Sequence, residues 1–468
     1  MSPNKDFKPS QPEDSVSISQ EKKYAPDELI VKFKKNSEQL FKQTKIPGQN
    51  GVSAEIIKTF DLGPKSKAIN DDGDLCHIKL SGITVEKAIE MLQDDSRIAY
   101  AEPNYALEIP VDLKLQFDAT KNQTFETRTE IGINKPNDLD SRLWNLNNEG
   151  QSGGLPGADI DALKAWSITT GKKEGGPLIG VADSGLEYDH PDIKDNLWTN
   201  PDEIAGDGVD NDCNGYIDDV HGYNFYGQNS EIKDNHGHGT HCAGVIGAKG
   251  NNGLGVTGIN WDAQIMTLKI MDPKEKNGYI GATIDAIAYA TQMGVKILSN
   301  SWGSDFDSKA LEEAISKFPG LFIASAGNAE KDKPPTDNDK VPHFPSGYDF
   351  PNIISVASSD SGDKLSATSN YGVKTVDIAA PGVEIGSTIP GGTYGYMSGT
   401  SMAVPHVSGV AALIMSEFPE LSVLEVKEAI LKGGDRLEGL DDKVATGMRL
   451  NAYGALQVAA EIQKSKEA

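Results

Sequence analysis

Five short apolar runs constrain the fold most: "PLIGVADSG", "VKILSNSWG", "LFIASAGN", "IISVASS" and "VDIAAPG" each end in small or polar residues at a turn. Stretches of helical spacing lie between them, including "GATIDAIAYATQMG" and "SKALEEAISKF". A strand that is apolar at successive positions is buried on both faces. Such strands alternating with helices form a parallel sheet covered on each side. The expected architecture is α/β, a mostly parallel β-sheet with helices on both faces, over residues 141–458. In sheets of this kind, ligands and chemistry gather beyond the carboxyl ends of the strands.

The rest of the chain divides by composition. Residues 1–23, rich in Ser, Pro, Lys and Glu, read as a disordered tail. Residues 24–110 read as a small α+β unit: "DELIVKFKK" and "DLCHIKLSG" have strand patterns, "TVEKAIEMLQDD" has helical spacing, and "IAYAEPNYALEIP" ends in a strand. Residues 111–140 turn polar and form an exposed linker of the kind proteases cut, while 459–468 read as a tail.

The formal charge of −25, from 44 basic and 69 acidic residues, disfavours nucleic acid as a partner because phosphates would be repelled. It fits a secreted, calcium-loaded or salt-adapted protein, and composition does not choose among these. Cys76, Cys213 and Cys242 are too few for a disulfide framework and lack CxxC spacing for zinc, so at least two are expected as free thiols. No apolar run is long enough for a membrane span.

Three candidates carry chemistry. Asp183 ends the apolar run "LIGVAD", where an aspartate also serves as an ordinary helix cap. Ser401 opens a long apolar helical stretch and reads equally as an N-cap; helix amides there would also stabilise an anion. Pro405 follows in the first turns, where a missing amide is tolerated. In "DNHGHGTHCAGVIG", His236, His238 and His241 resemble the HxHxDH zinc motif of metallo-β-lactamase-type hydrolases, but Thr240 stands where that motif has aspartate. The alternative needs one histidine as general base, a carboxylate to orient it and a hydroxyl to activate.

"VADSGLEYDHPDI", "HGTHCAG" and "GTSMAVPHVSG" are together similar to the three signature blocks of the subtilisin-like serine proteases, over about 144–458. "CAG" after the histidine resembles the proteinase K branch. The resemblance implies a subtilisin-like fold, a serine endopeptidase of proteins and peptides, and Asp183, His238 and Ser401 as its triad. It makes His238 the base, with His241 packed or bonded in the following helix and His236 on a loop. It further implies an oxyanion hole from the Asn328 side chain and the Ser401 amide. Substrate would pair as an added strand with Gly278, Tyr279 and Ile280 on one side and Ser301, Trp302 and Gly303 on the other. The loop 329–350 would shape the specificity pocket.

Calcium has two candidate sites, the first of which also reads as a solvated acidic loop. Asp210, Asp212 and Asn214 at alternate positions, Gly215 at the turn and Asp218 beyond resemble the first half of a calcium loop. The other resembles the family's structural site, with Asp192 and Asn252 as side-chain ligands and the carbonyls of Leu254 and Val256 completing it; its ligand from the domain's amino end is not identifiable. Residues 24–110 resemble the family's pro-region, a folding template and intramolecular inhibitor that presents "AEPNYALEIP" to the active site and is removed by self-cleavage between 110 and 140. The expected compartment is outside the cell, the amino-terminal stretch here carrying no apolar signal segment.

Overall fold

The computed structural model describes residues 23–35, 37, 52–63, 73–109, 112–117, 135–271 and 278–467; the expected tail 1–23 lies almost wholly outside them. The amino-terminal unit holds β1 (Tyr24–Phe33), β2 (Ser53–Phe60), β3 (Leu75–Ser81), helix α1 (Val85–Leu92) and β4 (Ile98–Leu107). Its strands pair antiparallel in the order β2-β3-β1-β4. Thr84 caps α1 through the Lys87 amide, and Val85, Ala88 and Leu92, three and four residues apart, form the buried stripe of α1. They pack with Leu29, Val31, Ile78 and Leu80 into a core of the unit's own.

After β5 (Asp112–Phe117), the main unit adds β6 (Leu178–Asp183), β7 (Gly222–Asn224), α2 (His238–Gly247), β8 (Gln264–Lys269), β9 (Gly278–Tyr279) and α3 (Ile280–Gln292). It continues through β10 (Ile297–Asn300), α4 (Lys309–Lys317), β11 (Leu321–Ser325), β12 (Ile353–Ser359), β13 (Ile378–Pro381), β14 (Ile385–Ile389) and β15 (Thr393–Ser398). It closes with α5 (Thr400–Glu417), α6 (Val423–Lys432), β16 (Asp435–Arg436), β17 (Met448–Arg449) and α7 (Ala452–Glu467). A nine-stranded sheet runs β16-β17-β13-β12-β11-β10-β6-β8-β7, parallel except for the β16–β17 pair.

The continuous apolar strands are explained by two cores, one on each face. Ile179, Val181, Ile297, Leu321 and Ile323 point to the layer holding α2, α5, α6 and α7. Ala182, Leu298, Phe322 and Ala324 point to the layer holding α3 and α4. Helix α5 lies inside the first layer and is buried on every side for most of its length, so it is apolar all round rather than amphipathic. From β6 the chain goes out to the edge strand β7, returns to insert β8 between the two, then crosses to β10 and continues the other way. The β6–β10 seam is therefore the switch point of the sheet, where the strand ends leave a crevice.

Two boundaries differ from the sequence reading. The stretch 459–468 is not a tail as far as it is described: α7 runs to Glu467, buries Ala459 and pairs Lys466 with Glu425. The end of the expected linker already belongs to the main unit, because Asp138 accepts the Asn251 and Asn252 amides at 3.0 and 2.7 Å.

Candidate active site

Asp183 is the last residue of β6, His238 the first of α2 and Ser401 the second of α5. The three come from distant parts of the chain and meet at the crevice, all essentially buried. Gly239 lets α2 approach β6: a Cβ there would lie 2.2 Å from the Gly185 carbonyl oxygen. His238 Nδ1 donates to Asp183 Oδ1 and Oδ2 at 2.7 and 2.9 Å. Burial disfavours a charged imidazole, but the Asp183 carboxylate outweighs it and holds the His238 pKa well above its ordinary value.

Asp234, which sequence reasoning passed over, fastens the start of α2. It accepts the amides of His236, Gly237 and Thr240 and the hydroxyls of Thr240 and Ser184. Ser184 Oγ in turn accepts the Gly239 amide. Asp234 lies three residues before the N-cap, Gly237, which itself makes no side-chain cap bond, so cap spacing did not point to it. Thr240 is thus a positioning residue, not a failed metal ligand.

The three histidines do not converge on one point. His241 Nε2 donates to the Ile385 carbonyl at 2.9 Å, across to β14 rather than within its own helix, and burial holds its pKa down to about 3. His236 lies on the loop before α2, its ring tilted against that of His238. His406 is held between the Asn145 side chain and the Met402 carbonyl, in the second turn of α5.

Ser401 Oγ donates to the Ser301 carbonyl at 3.0 Å, while His238 Nε2, buried, has no hydrogen-bond partner among the described residues. Cys242, one turn after His238, is a buried free thiol against Ser301 Oγ and the Ser401 carbonyl at 3.6 and 3.5 Å, and burial pushes its pKa up. Asn328 Oδ1 accepts the Thr400 amide at 3.0 Å. A Cβ on Gly399 would lie 3.3 Å from Asn328 Nδ2, so the side chain lies along the approach to Ser401.

The tail of the amino-terminal unit crosses this crevice. Ala106 and Leu107 pair antiparallel with Tyr279 and Gly278, and Glu108 exchanges both main-chain bonds with Gly303 at 2.9 and 3.1 Å. Gly303 must lack a side chain, since its Cβ would strike the His343 ring of the 329–350 loop at 2.0 Å. Of the six expected substrate contacts, Gly278, Tyr279 and Gly303 pair with this tail, and Ser301 touches Ser401. Trp302 is fully buried beneath them. Ile280 is a correction: it starts α3 and is wholly buried in the core, because the strand ends at Tyr279. The same unit also caps two helices of the main unit. Glu102 accepts the Ser308 hydroxyl and the Lys309 and Ala310 amides at α4, and Asn104 Oδ1 accepts the Gly281 amide at α3.

The two acidic loops are oxygen-lined. Asp192 Oδ1 accepts Asn252 Nδ2 at 2.7 Å and Oδ2 accepts the Val256 amide at 3.0 Å, while Asn252 Oδ1 accepts the Leu254 amide. Burial, with Asp138 also facing it, raises the Asp192 pKa to about 7. Asp138, a carboxylate from the domain's amino end that sequence reasoning did not single out, therefore stands beside Asp192 and the Asn251–Asn252 backbone. In the other loop, Asp210 accepts the Asn214 and Gly215 amides, and Asp212 also accepts the Asn214 amide. Asp218 is a second correction: with φ of 56° it turns away and accepts the Gly206 and Gly208 amides. Its neighbour Asp219 turns inward instead, and carboxylate oxygens of Glu203, Asp212 and Asp219 lie within 4.8 Å of one another.

Comparison with known proteins agrees with this geometry. The subtilase family profile matches residues 174–455, and that of the fervidolysin N-terminal prodomain matches 10–104. Thermophilic serine proteinase of Bacillus sp. (strain AK1) is 29% identical over 94% of this chain and 90% of its own length. Thermitase of Thermoactinomyces vulgaris is 34% identical over 64% of this chain and 94% of its own. The crystal structure of fervidolysin from Fervidobacterium pennivorans, a keratinolytic enzyme related to subtilisin, superposes with a TM-score of 0.69 at 22% identity. The alignment covers 94% of this chain and 62% of that one. A buried aspartate–histidine pair at the switch point, a serine at the head of a buried helix and these matches lead to one conclusion: the chain belongs to the subtilase family and is a subtilisin-like serine protease with a fervidolysin-type prodomain.

Proposed function

We propose that the chain is a self-processing zymogen of a serine endopeptidase, with Asp183, His238 and Ser401 as its triad. The observation that carries this reading is the pro-region tail held in the crevice by Tyr279, Gly278 and Gly303 beside the Asp183–His238 pair. For reaction, the Ser401 hydroxyl turns from the Ser301 carbonyl toward His238 Nε2, which takes its proton as Oγ attacks the scissile carbonyl. His238 then protonates the leaving amine, and water hydrolyses the acyl-enzyme by the same route. Asp183 keeps the imidazole tautomer and stabilises the imidazolium. The Asn328 side chain and the Ser401 amide stabilise the tetrahedral oxyanion.

Residues 24–110 act as template and inhibitor. The bond cut lies between Ile109 and Asp112, because Glu108 pairs with Gly303 on one side and Asp112 with Ser398, three residues before Ser401, on the other. Structural Ca²⁺ fits the oxygen donors Asp138, Asp192, Asn252 and the Leu254 and Val256 carbonyls. A second ion fits Asp210, Asp212, Asn214, Asp219 and Glu203 in place of the expected Asp218. Calcium would cross-link loops and take no part in the chemistry. Among the described residues no helix is long and apolar enough to cross a membrane. Export of the enzyme is part of this reading, supported by its acidic charge and its pro-region.

The test is the intact mass of the chain and its Ser401→Ala variant after incubation with Ca²⁺. The wild type should lose a piece ending between Ile109 and Asp112 while the variant stays whole. If both are cut alike, Ser401 is not the nucleophile. If both stay whole, the chain does not process itself.

A further inference from the structure

β4 runs past the segments that grip it. Ala106, Leu107 and Glu108 pair with Tyr279, Gly278 and Gly303, and Tyr105 is the residue next before them. Side chains two apart share one face of a strand, and Tyr105, Leu107 and Ile109 all pack on the core that holds α3 and α4. Leu107 is wholly buried there, whereas the Tyr105 ring lies flat on that of Phe306. The two rings are 4.9 Å apart, with 1° between their planes. Lys23, whose carbonyl accepts the Ala106 amide, sets its ammonium 5.2 Å from the centre of the Phe306 ring.

Phe306 belongs to the main unit and is fastened by that unit's own bonds. Its amide donates to Ser304 Oγ at 3.1 Å, and Ser304 exchanges both main-chain bonds with Phe344 at 2.8 and 2.9 Å. Two residues further on, the Ser308 amide donates to the Tyr348 hydroxyl at 3.0 Å, and that hydroxyl donates to the Ser308 carbonyl at 2.9 Å. The loop between Gly303 and α4 is thus tied at both ends to the 329–350 loop. Tyr105 and Lys23 both precede the cut bond, so release of the pro-region uncovers a ring already held in place.

We infer that Phe306 is a remote specificity subsite, an aromatic shelf for a substrate ring three residues before the one paired with Gly303. This rests on the protease reading above. With the cut between Ile109 and Asp112, that ring is the fifth to seventh residue ahead of the bond. Main-chain pairing carries a peptide to the shelf whatever its side chains, and the flat contact then selects tyrosine, phenylalanine or tryptophan. Little further ordering is needed, because pairing has already fixed the adjacent residue and Phe306 is held beforehand. The favoured substrate is therefore an extended polypeptide with an aromatic side chain well upstream of the cut.

The test uses processed, active-site-titrated enzyme freed of its pro-region, with internally quenched peptides that copy residues 102–116. They carry tyrosine, phenylalanine or serine at the place of Tyr105. Wild type should cut both aromatic peptides with kcat/KM about fivefold above that of the serine peptide. Phe306→Ala should treat all three alike, and Phe306→Trp should restore the preference. Where a peptide resists cutting, its inhibition constant against casein hydrolysis carries the same comparison. Equal values for the three peptides with wild type, or a preference that persists in Phe306→Ala, overturn the shelf and leave the protease reading intact. A Phe306→Trp enzyme that behaves like Phe306→Ala overturns it too, since the loop rather than the ring would then be responsible. If wild type cuts neither the peptides nor casein, the protease reading fails and takes this inference with it.

Discussion

Asp183 and Asp192 stand nine residues apart, both buried carboxylates in the same signature block. Asp183 faces the His238 imidazole at 2.7 Å, so its charge has a partner that can become positive. Asp192 faces amide donors and a second carboxylate, Asp138, with no cationic side chain among the groups bonded to it. A buried carboxylate is costly unless paired or bound to a metal. The first arrangement fits the general base proposed above. The second yields an oxygen cage that suits a divalent cation. The same residue type, equally buried, thus serves chemistry or architecture according to what stands opposite.

Removing the charge from the first should have the largest effect. Asp183→Asn keeps the shape and is expected to lower kcat by about 10⁴ with little loss of stability. The pH profile sharpens the test. His238 works only when neutral, and Asp183 raises its pKa, so wild-type kcat/KM should climb with pH through a limb above the ordinary imidazole value. In the variant the raising carboxylate is gone, burial weighs more, and the limb should move to lower pH. A limb that stays in place would show that Asp183 does not carry the raising charge.

Asn328→Ala comes next. Loss of a side-chain oxyanion donor should cost on the order of 2.7–4 kcal/mol in kcat/KM, with peptide affinity little changed. An equal loss in binding would make Asn328 a loop-holding residue for Thr400 instead.

The Asp192 side of the comparison is read in stability. With free Ca²⁺ at 100 times its dissociation constant, the wild type should gain about 2.7 kcal/mol over chelated protein, and Asp192→Asn or Asp138→Asn should lose most of that gain. If either variant responds to Ca²⁺ as the wild type does, that residue is no ligand. In the acidic loop, Asp219→Asn should weaken the Ca²⁺ response measurably, whereas Asp218→Asn should change melting by less. A reversed order would restore Asp218 as the ligand.

The smallest effect is general. His241 and His406 are kept neutral by burial, with pKa values held down to about 3 and about 4. Their contribution is fully present above the unfolded histidine value of about 6.5 and is lost progressively as pH falls toward those values. Melting followed from pH 7 to 4 should drop, and His241→Gln should flatten part of that slope.

The parallel sheet was legible because doubly buried strands must be apolar at every position, and the site because strand-end and helix-start strings are local. What sequence left open was everything decided at a distance. Ile280 follows the expected strand Gly278–Tyr279, yet α3 begins there and takes it into the core. Asp138 joins Asp192 across more than fifty residues of chain, and no periodicity announces such a meeting.

By itself, the sequence determined the order of strands and helices, the identity of Asp183, His238 and Ser401 as candidates, and the presence of a separate pro-region. These follow from short-range patterns: apolar runs, glycines where backbone must approach backbone, and polar residues at element ends. Only the tertiary structure decided which carboxylates face each other, that Asp219 rather than Asp218 turns inward, and that residues read as linker form a strand on β15. Side-chain direction in a loop depends on the local backbone conformation and rotamer, as at Asp218 with its left-handed φ of 56°, and strand pairing depends on an edge supplied by distant chain. Neither is written in the residues that obey it.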